Sequence, residues 1–120
     1  MFGLNWMGSV DPRAAVEEVA RGEAILLDVR TTAEFDAGHA IGAINFELSR
    51  LADGHFPPVG HTDPIYVYCQ SGGRSAQATM LLKRAGFVRV SNLGGLSAWS
   101  GAGGPVEQSD GPTTPPKCEI

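Results

Sequence analysis

The chain has 120 residues, enough for one domain with a real core and too few for two. Its 42% apolar content suits a folded body, and a net charge of −4 argues against nucleic acid or an anionic membrane as the main partner. No apolar run approaches the roughly 18 residues that a membrane-spanning helix needs. The start, MFGLNWMGSV, lacks the basic and continuous apolar regions of a signal peptide, so a cytoplasmic location is expected, where cysteine is normally a free thiol.

In chain order, residues 1–9 read as an N-terminal extension, with Phe2 and Trp6 as candidates to cover a sheet edge. SVDPRAAVEEVARG predicts a helix capped by Asp11, with Pro12 at its first position and Ala15, Val16, Val19 and Ala20 on one face. AILLDVR is a short continuous apolar run, the pattern of a strand covered on both faces. TTAEFDAG predicts a short helix capped by Thr31 or Thr32 and ended at Gly38. AINFE is a second strand, LSRLA a helical turn, DGHFPPVGHTDP a loop and IYVYC a third strand. SAQATMLLKRAGF is a helix with Ala78, Leu81, Leu82 and Ala85 on one side; VRVSNL is a strand and GGLSAWSGAGG a last short helix. The polar segment from 107 to 120 is expected to be a disordered tail. Alternation of strands and helices makes the fold α/β with a mostly parallel sheet, whose sites form beyond the carboxyl ends of the strands.

Cys69 stands at such an end, in VYCQSGGRSAQ. Between it and the next helix, expected to start near Ser75, the chain must curl, and Gly72 and Gly73 permit conformations that other residues resist. A curled loop at a helix start turns several backbone N–H groups inward and makes a nest for an anion. A thiol at its centre ionises more readily, and Arg74 adds a permanent positive charge. Contributions of about 1 kcal/mol each would shift such a thiol by roughly a pH unit or more. A small buried residue closing a strand is the plainer alternative, but it does not account for Gly-Gly-Arg-Ser following the cysteine. The pattern suits a nucleophile acting on an anionic substrate.

Four blocks resemble the single-domain rhodaneses, a sulfurtransferase family. They are LLDVRTTAEFDAGHAIGAINFEL, YCQSGGRSAQAT, GFVRVSNLGGLSAW and GGPVE. The resemblance covers about residues 10–106. It implies a rhodanese-like α/β fold, with a five-stranded, mostly parallel sheet and helices on both faces. It also implies that Cys69 takes a sulfane sulfur from an anionic donor such as thiosulfate. The resulting persulfide would pass the sulfur to a thiol or cyanide acceptor, or to an acceptor protein. Loop positions Gln70, Ser71, Gly72, Gly73, Arg74 and Ser75 would bind the donor. No metal, organic cofactor, nucleic acid or membrane is called for. Ala40 and Ile41 depart from the Ile-Pro pair often found there in the family.

Two alternatives stand beside this one. A non-catalytic rhodanese module would bind a partner, but retention of Cys69 and Arg74 speaks against it. A phosphatase or arsenate-reductase-like enzyme would place five residues between cysteine and arginine, where this chain has Gln70, Ser71, Gly72 and Gly73 only. Asp28, Arg30, Glu34 and His39 are assigned supporting roles. Asp28 is expected to accept backbone N–H groups, Arg30 and Glu34 to pair across the helix start, and His39 to hold its loop. Trp99 is expected in the core or a pocket wall. Ser75 has two candidate roles, helix cap or donor to a bound sulfonate, and Cys118 is expected to be a solvated tail thiol.

Overall fold

The computed structural model describes residues 10–108. Phe2, Trp6 and Cys118 lie outside the described residues.

The first helix, α1 (Pro12–Ala20), starts where its sequence signals it. The Asp11 side chain accepts from the Arg13 N–H, and Pro12 occupies the first turn. Its inward face differs in one respect from the apolar pattern. Ala20 is exposed, whereas Glu18 is buried and accepts a hydrogen bond from the Tyr66 hydroxyl across 2.8 Å. A buried carboxylate needs such a partner, and Tyr66 reaches it from the sheet.

After β1 (Ile25–Asp28), Thr31 caps α2 (Thr32–Ala37) in a reciprocal capping box with Glu34. Two very short strands follow, β2 (His39–Ala40) and β3 (Ile44–Asn45), and then α3 (Leu48–Ala52). The strand β4 (Ile65–Cys69) leads into α4 (Gly73–Arg84), and β5 (Val90–Gly95) into α5 (Leu96–Gly101). The described chain closes with β6 (Val106–Glu107).

The central sheet is parallel, in the order β3-β1-β4-β5. It has four strands where the resemblance implies five. The short strand β2 pairs antiparallel with β6 as a separate clip instead. Glu107, assigned to the tail, is the last residue of that clip.

All of β4 is buried because the sheet is covered on both faces. Ile65, Val67 and Cys69 pack with Leu51 of α3 and with Ala78 and Leu82 of α4. Tyr66 and Tyr68 face the other way, with Ala15 of α1 and Trp99 of α5. Each fully buried aliphatic side chain contributes about 1.5–3 kcal/mol to holding these layers. Trp99 is core, and its indole N–H donates to the Pro105 carbonyl across 2.8 Å. Among the described residues, no helix is long and apolar enough to cross a membrane.

Parallel pairing of β4 with β5 carries an irregularity near the site. Val67 pairs with Asn92, but Tyr68 pairs with Gly94, so Leu93 is the extra residue of a bulge. The bulge brings Gly94 and Gly95 alongside Tyr68 and Cys69, at the carboxyl edge of the sheet.

Candidate active site

Cys69 ends β4 with only 1% of its surface exposed, while Gln70, Ser71 and Gly73 around it are exposed. The sulfur is buried next to a loop that is itself exposed. The chain leaves the strand and turns at Gly72, whose φ is +103°. That left-handed conformation suits glycine, and it makes Gly72 the residue that precedes α4. The helix therefore begins at Gly73, two residues before the start expected from the sequence.

This turn aims the Gly72 N–H at the Cys69 Sγ, 3.0 Å away. Burial works to raise the thiol's pKa. The Ser75 hydroxyl and the backbone N–H groups of Ser75, Gly72 and Ser71 work the other way and prevail, so the thiol sits below its ordinary range. The positive end of the α4 dipole acts in the same direction.

Ser75 is fully buried in the first turns of α4. It is not the helix cap. Its hydroxyl lies 2.6 Å from Asn92 Oδ1 and 3.0 Å from the Gly72 carbonyl. Asn92 was not singled out from the sequence. Its Oδ1 also accepts from the Gly94 N–H at 3.0 Å, and its amide nitrogen donates to the Gly72 carbonyl at 3.3 Å. One side chain from β5 thus ties the loop, the helix start and the bulge together. Backbone contact seals the same seam. A Cβ on Gly95 would stand 2.6 Å from the Gln70 carbonyl oxygen, so only glycine fits there without a shift.

Arg30 and Glu34 do not pair with each other. Arg30 is almost fully buried and turns back on Asp28, its Nε 3.1 Å and its NH2 2.8 Å from Asp28 Oδ2. It also donates to the Gly38 carbonyl at 2.6 Å and to Gln70 Oε1 at 3.1 Å. Asp28 accepts the Arg30 backbone N–H, as expected, and the Tyr68 hydroxyl. Burial first, and then the bond to Asp28, push the Tyr68 phenol well above its usual range. This network links the carboxyl ends of β1 and β4 and holds the first side chain of the cysteine loop.

Glu34 instead takes the fork of Arg74, at 2.7 Å from NH1 and 2.9 Å from NH2. The hydrogen bond from Arg74, followed by that from the Thr31 N–H, holds the Glu34 carboxyl down at about 2. The spacing of Arg30 and Glu34 failed as a guide because Arg30 precedes the helix cap and lies off the helix surface. Arg74, one of the loop positions expected to bind the donor, is 37% exposed and already carries a carboxylate.

His39 lies in the β2–β6 clip. Its ring stacks on Phe35 with centroids 3.7 Å apart, Nδ1 is 2.7 Å from the Phe35 carbonyl, and Nε2 is 3.3 Å from Glu107. These contacts hold the loop in place. Among the described residues, no group of three or more His, Cys, Asp or Glu side chains could hold a metal ion.

Thiosulfate sulfurtransferase 16, a chloroplastic protein of Arabidopsis thaliana, is 46% identical over 96 residues, covering 68% of this chain and 78% of that one. Thiosulfate sulfurtransferase GlpE of Actinobacillus succinogenes is 33% identical, covering 85% of this chain and 92% of its own length. The crystal structure of the Alr3790 protein from Anabaena superposes with a TM-score of 0.74 at 35% identity, covering 82% of this chain and 91% of that one. Residues 11–102, from the cap of α1 to the end of α5 and with the Cys69 loop inside them, match the Rhodanese-like domain family, and the chain belongs to it.

Proposed function

We propose that the protein is a sulfurtransferase in which Cys69 carries the sulfur. The Cys69 thiolate attacks the sulfane sulfur of a donor such as thiosulfate. The new bond joins Sγ to that sulfur, the donor's own S–S bond breaks, and sulfite leaves with the electron pair. An acceptor nucleophile, cyanide or a thiol, then attacks the outer sulfur of the persulfide and regenerates the thiolate. Relatives that bear the name thiosulfate sulfurtransferase support this class of reaction.

The carrying observation is the Gly72 N–H directed at Sγ across 3.0 Å, in a loop whose other groups also favour the thiolate. The loop N–H groups that hold a thiolate can hold the outer, negative sulfur of a persulfide for the same reason. The same thiolate would serve a phosphatase, but loop length disfavours that reading: only four residues separate Cys69 from Arg74, and the Arg74 fork is filled by Glu34.

The test is thiosulfate–cyanide sulfur transfer by Cys69→Ser. The variant should fold like the wild type, since oxygen replaces a buried sulfur of similar size, and should have no activity above background. Retention of most of the activity would put the nucleophile elsewhere.

A further inference from the structure

We infer that Glu34 sets the donor preference of the site: its carboxylate occupies the Arg74 fork and competes with the anionic end of a sulfur donor, so donors are penalised in proportion to their negative charge. The inference rests on the reading of Cys69 as the sulfur-carrying nucleophile.

Three observations carry it. The first is the bidentate geometry, with Glu34 oxygens 2.7 and 2.9 Å from the two terminal nitrogens of Arg74. A guanidinium fork matches one carboxylate or one sulfonate on a given edge, so a donor using that edge must displace Glu34 or settle for another. The second is that Glu34 is anchored. Its Oε1 also accepts from the Thr31 N–H at 3.0 Å and stands 3.1 Å from the Thr31 hydroxyl, as part of the cap of α2. The carboxylate is therefore held in place and does not swing away at little cost.

The third is the charge balance around the sulfur. Arg74 is the sole cation of the loop, and the neighbouring Arg30 is paired with Asp28. Once Cys69 ionises, three negative groups face two positive ones. Both members of the Arg74–Glu34 pair are about one-third exposed, which puts them at the rim a donor passes. The loop N–H groups still bind the transferred sulfur; Glu34 acts on the rest of the donor.

The discriminating experiment compares wild type with Glu34→Gln, using thiosulfate, a dianion, and an aryl thiosulfonate, a monoanion that delivers sulfur by the same bond exchange. Glutamine keeps an oxygen for the Thr31 N–H, so the cap of α2 survives. Loss of one negative charge near the donor should lower KM about tenfold for the dianion and about threefold for the monoanion, following the charge of each. An unchanged or raised KM for thiosulfate, or an equal fall for both donors, would overturn the inference.

A second arm needs no turnover. Sulfite binding to Cys69→Ser, measured by calorimetry, should tighten several-fold when Glu34→Gln is added; no tightening counts against Glu34. If the wild type takes sulfur from neither donor, the sulfurtransferase reading fails, and the binding arm still judges Glu34.

Discussion

The Gly72 N–H donates to the Cys69 sulfur across 3.0 Å, and it does so from a backbone turned to φ +103°. An L-residue in the left-handed region costs roughly 1–2 kcal/mol. Gly73, the next residue, has no such constraint, and a Cβ added there would meet nothing within 4 Å. Gly72→Ala should therefore lower stability by about 1–2 kcal/mol and slow sulfur transfer. Gly73→Ala should leave stability within about 0.5 kcal/mol of wild type or raise it slightly. Denaturant midpoints and initial rates on the pair check this.

The rate of Cys69 alkylation should rise with pH and level off at a midpoint below that of the unfolded chain, near the ordinary thiol value of about 8.5. Ser75→Ala removes one group that favours the thiolate, so its midpoint should move upward. The same linkage acts on folding. The thiol's pKa is lower in the folded state, so its stabilisation is fully present above the unfolded thiol's pKa and is lost as pH falls through the folded one. A midpoint unmoved in Ser75→Ala would assign the effect to the backbone N–H groups alone.

Gly95→Ala should be among the most damaging conservative changes near the site. Its Cβ would press on the Gln70 carbonyl oxygen from 2.6 Å, and backbone cannot step aside as a flexible side chain can. Overpacking of this kind costs typically about 1–3 kcal/mol. Because the displaced atoms adjoin Cys69, sulfur transfer should fall as well; misplacement of about 1 Å can cost roughly a hundredfold in rate. Thermal unfolding and steady-state rates measure the two effects separately.

How much of this was legible depended on sequence distance. The cap at Asp11, the cap of α2 at Thr31, and the apolar run of β1 are local patterns, and the structure carries each of them. The cysteine loop is contiguous too, so its residues could be named in advance. Asn92 was out of reach. It meets Ser75 only through the pairing of β4 with β5 and the bulge at Leu93, neither of which leaves a local mark. The β2–β6 clip was missed for a similar reason. Strands of two residues have no readable alternation, and their pairing joins segments far apart in the chain. The partner of Glu34 is likewise a long-range fact, settled by where α2 meets the start of α4.

The most direct test of the central claim is the intact mass of the wild-type protein after incubation with thiosulfate, followed by peptide mapping. The peptide containing Cys69 should gain one sulfur atom, lose it in a cyanide wash, and gain none in Cys69→Ser. A wild-type protein that gains no sulfur, or a Cys69→Ser variant that gains it equally, would rule out Cys69 as the sulfur carrier.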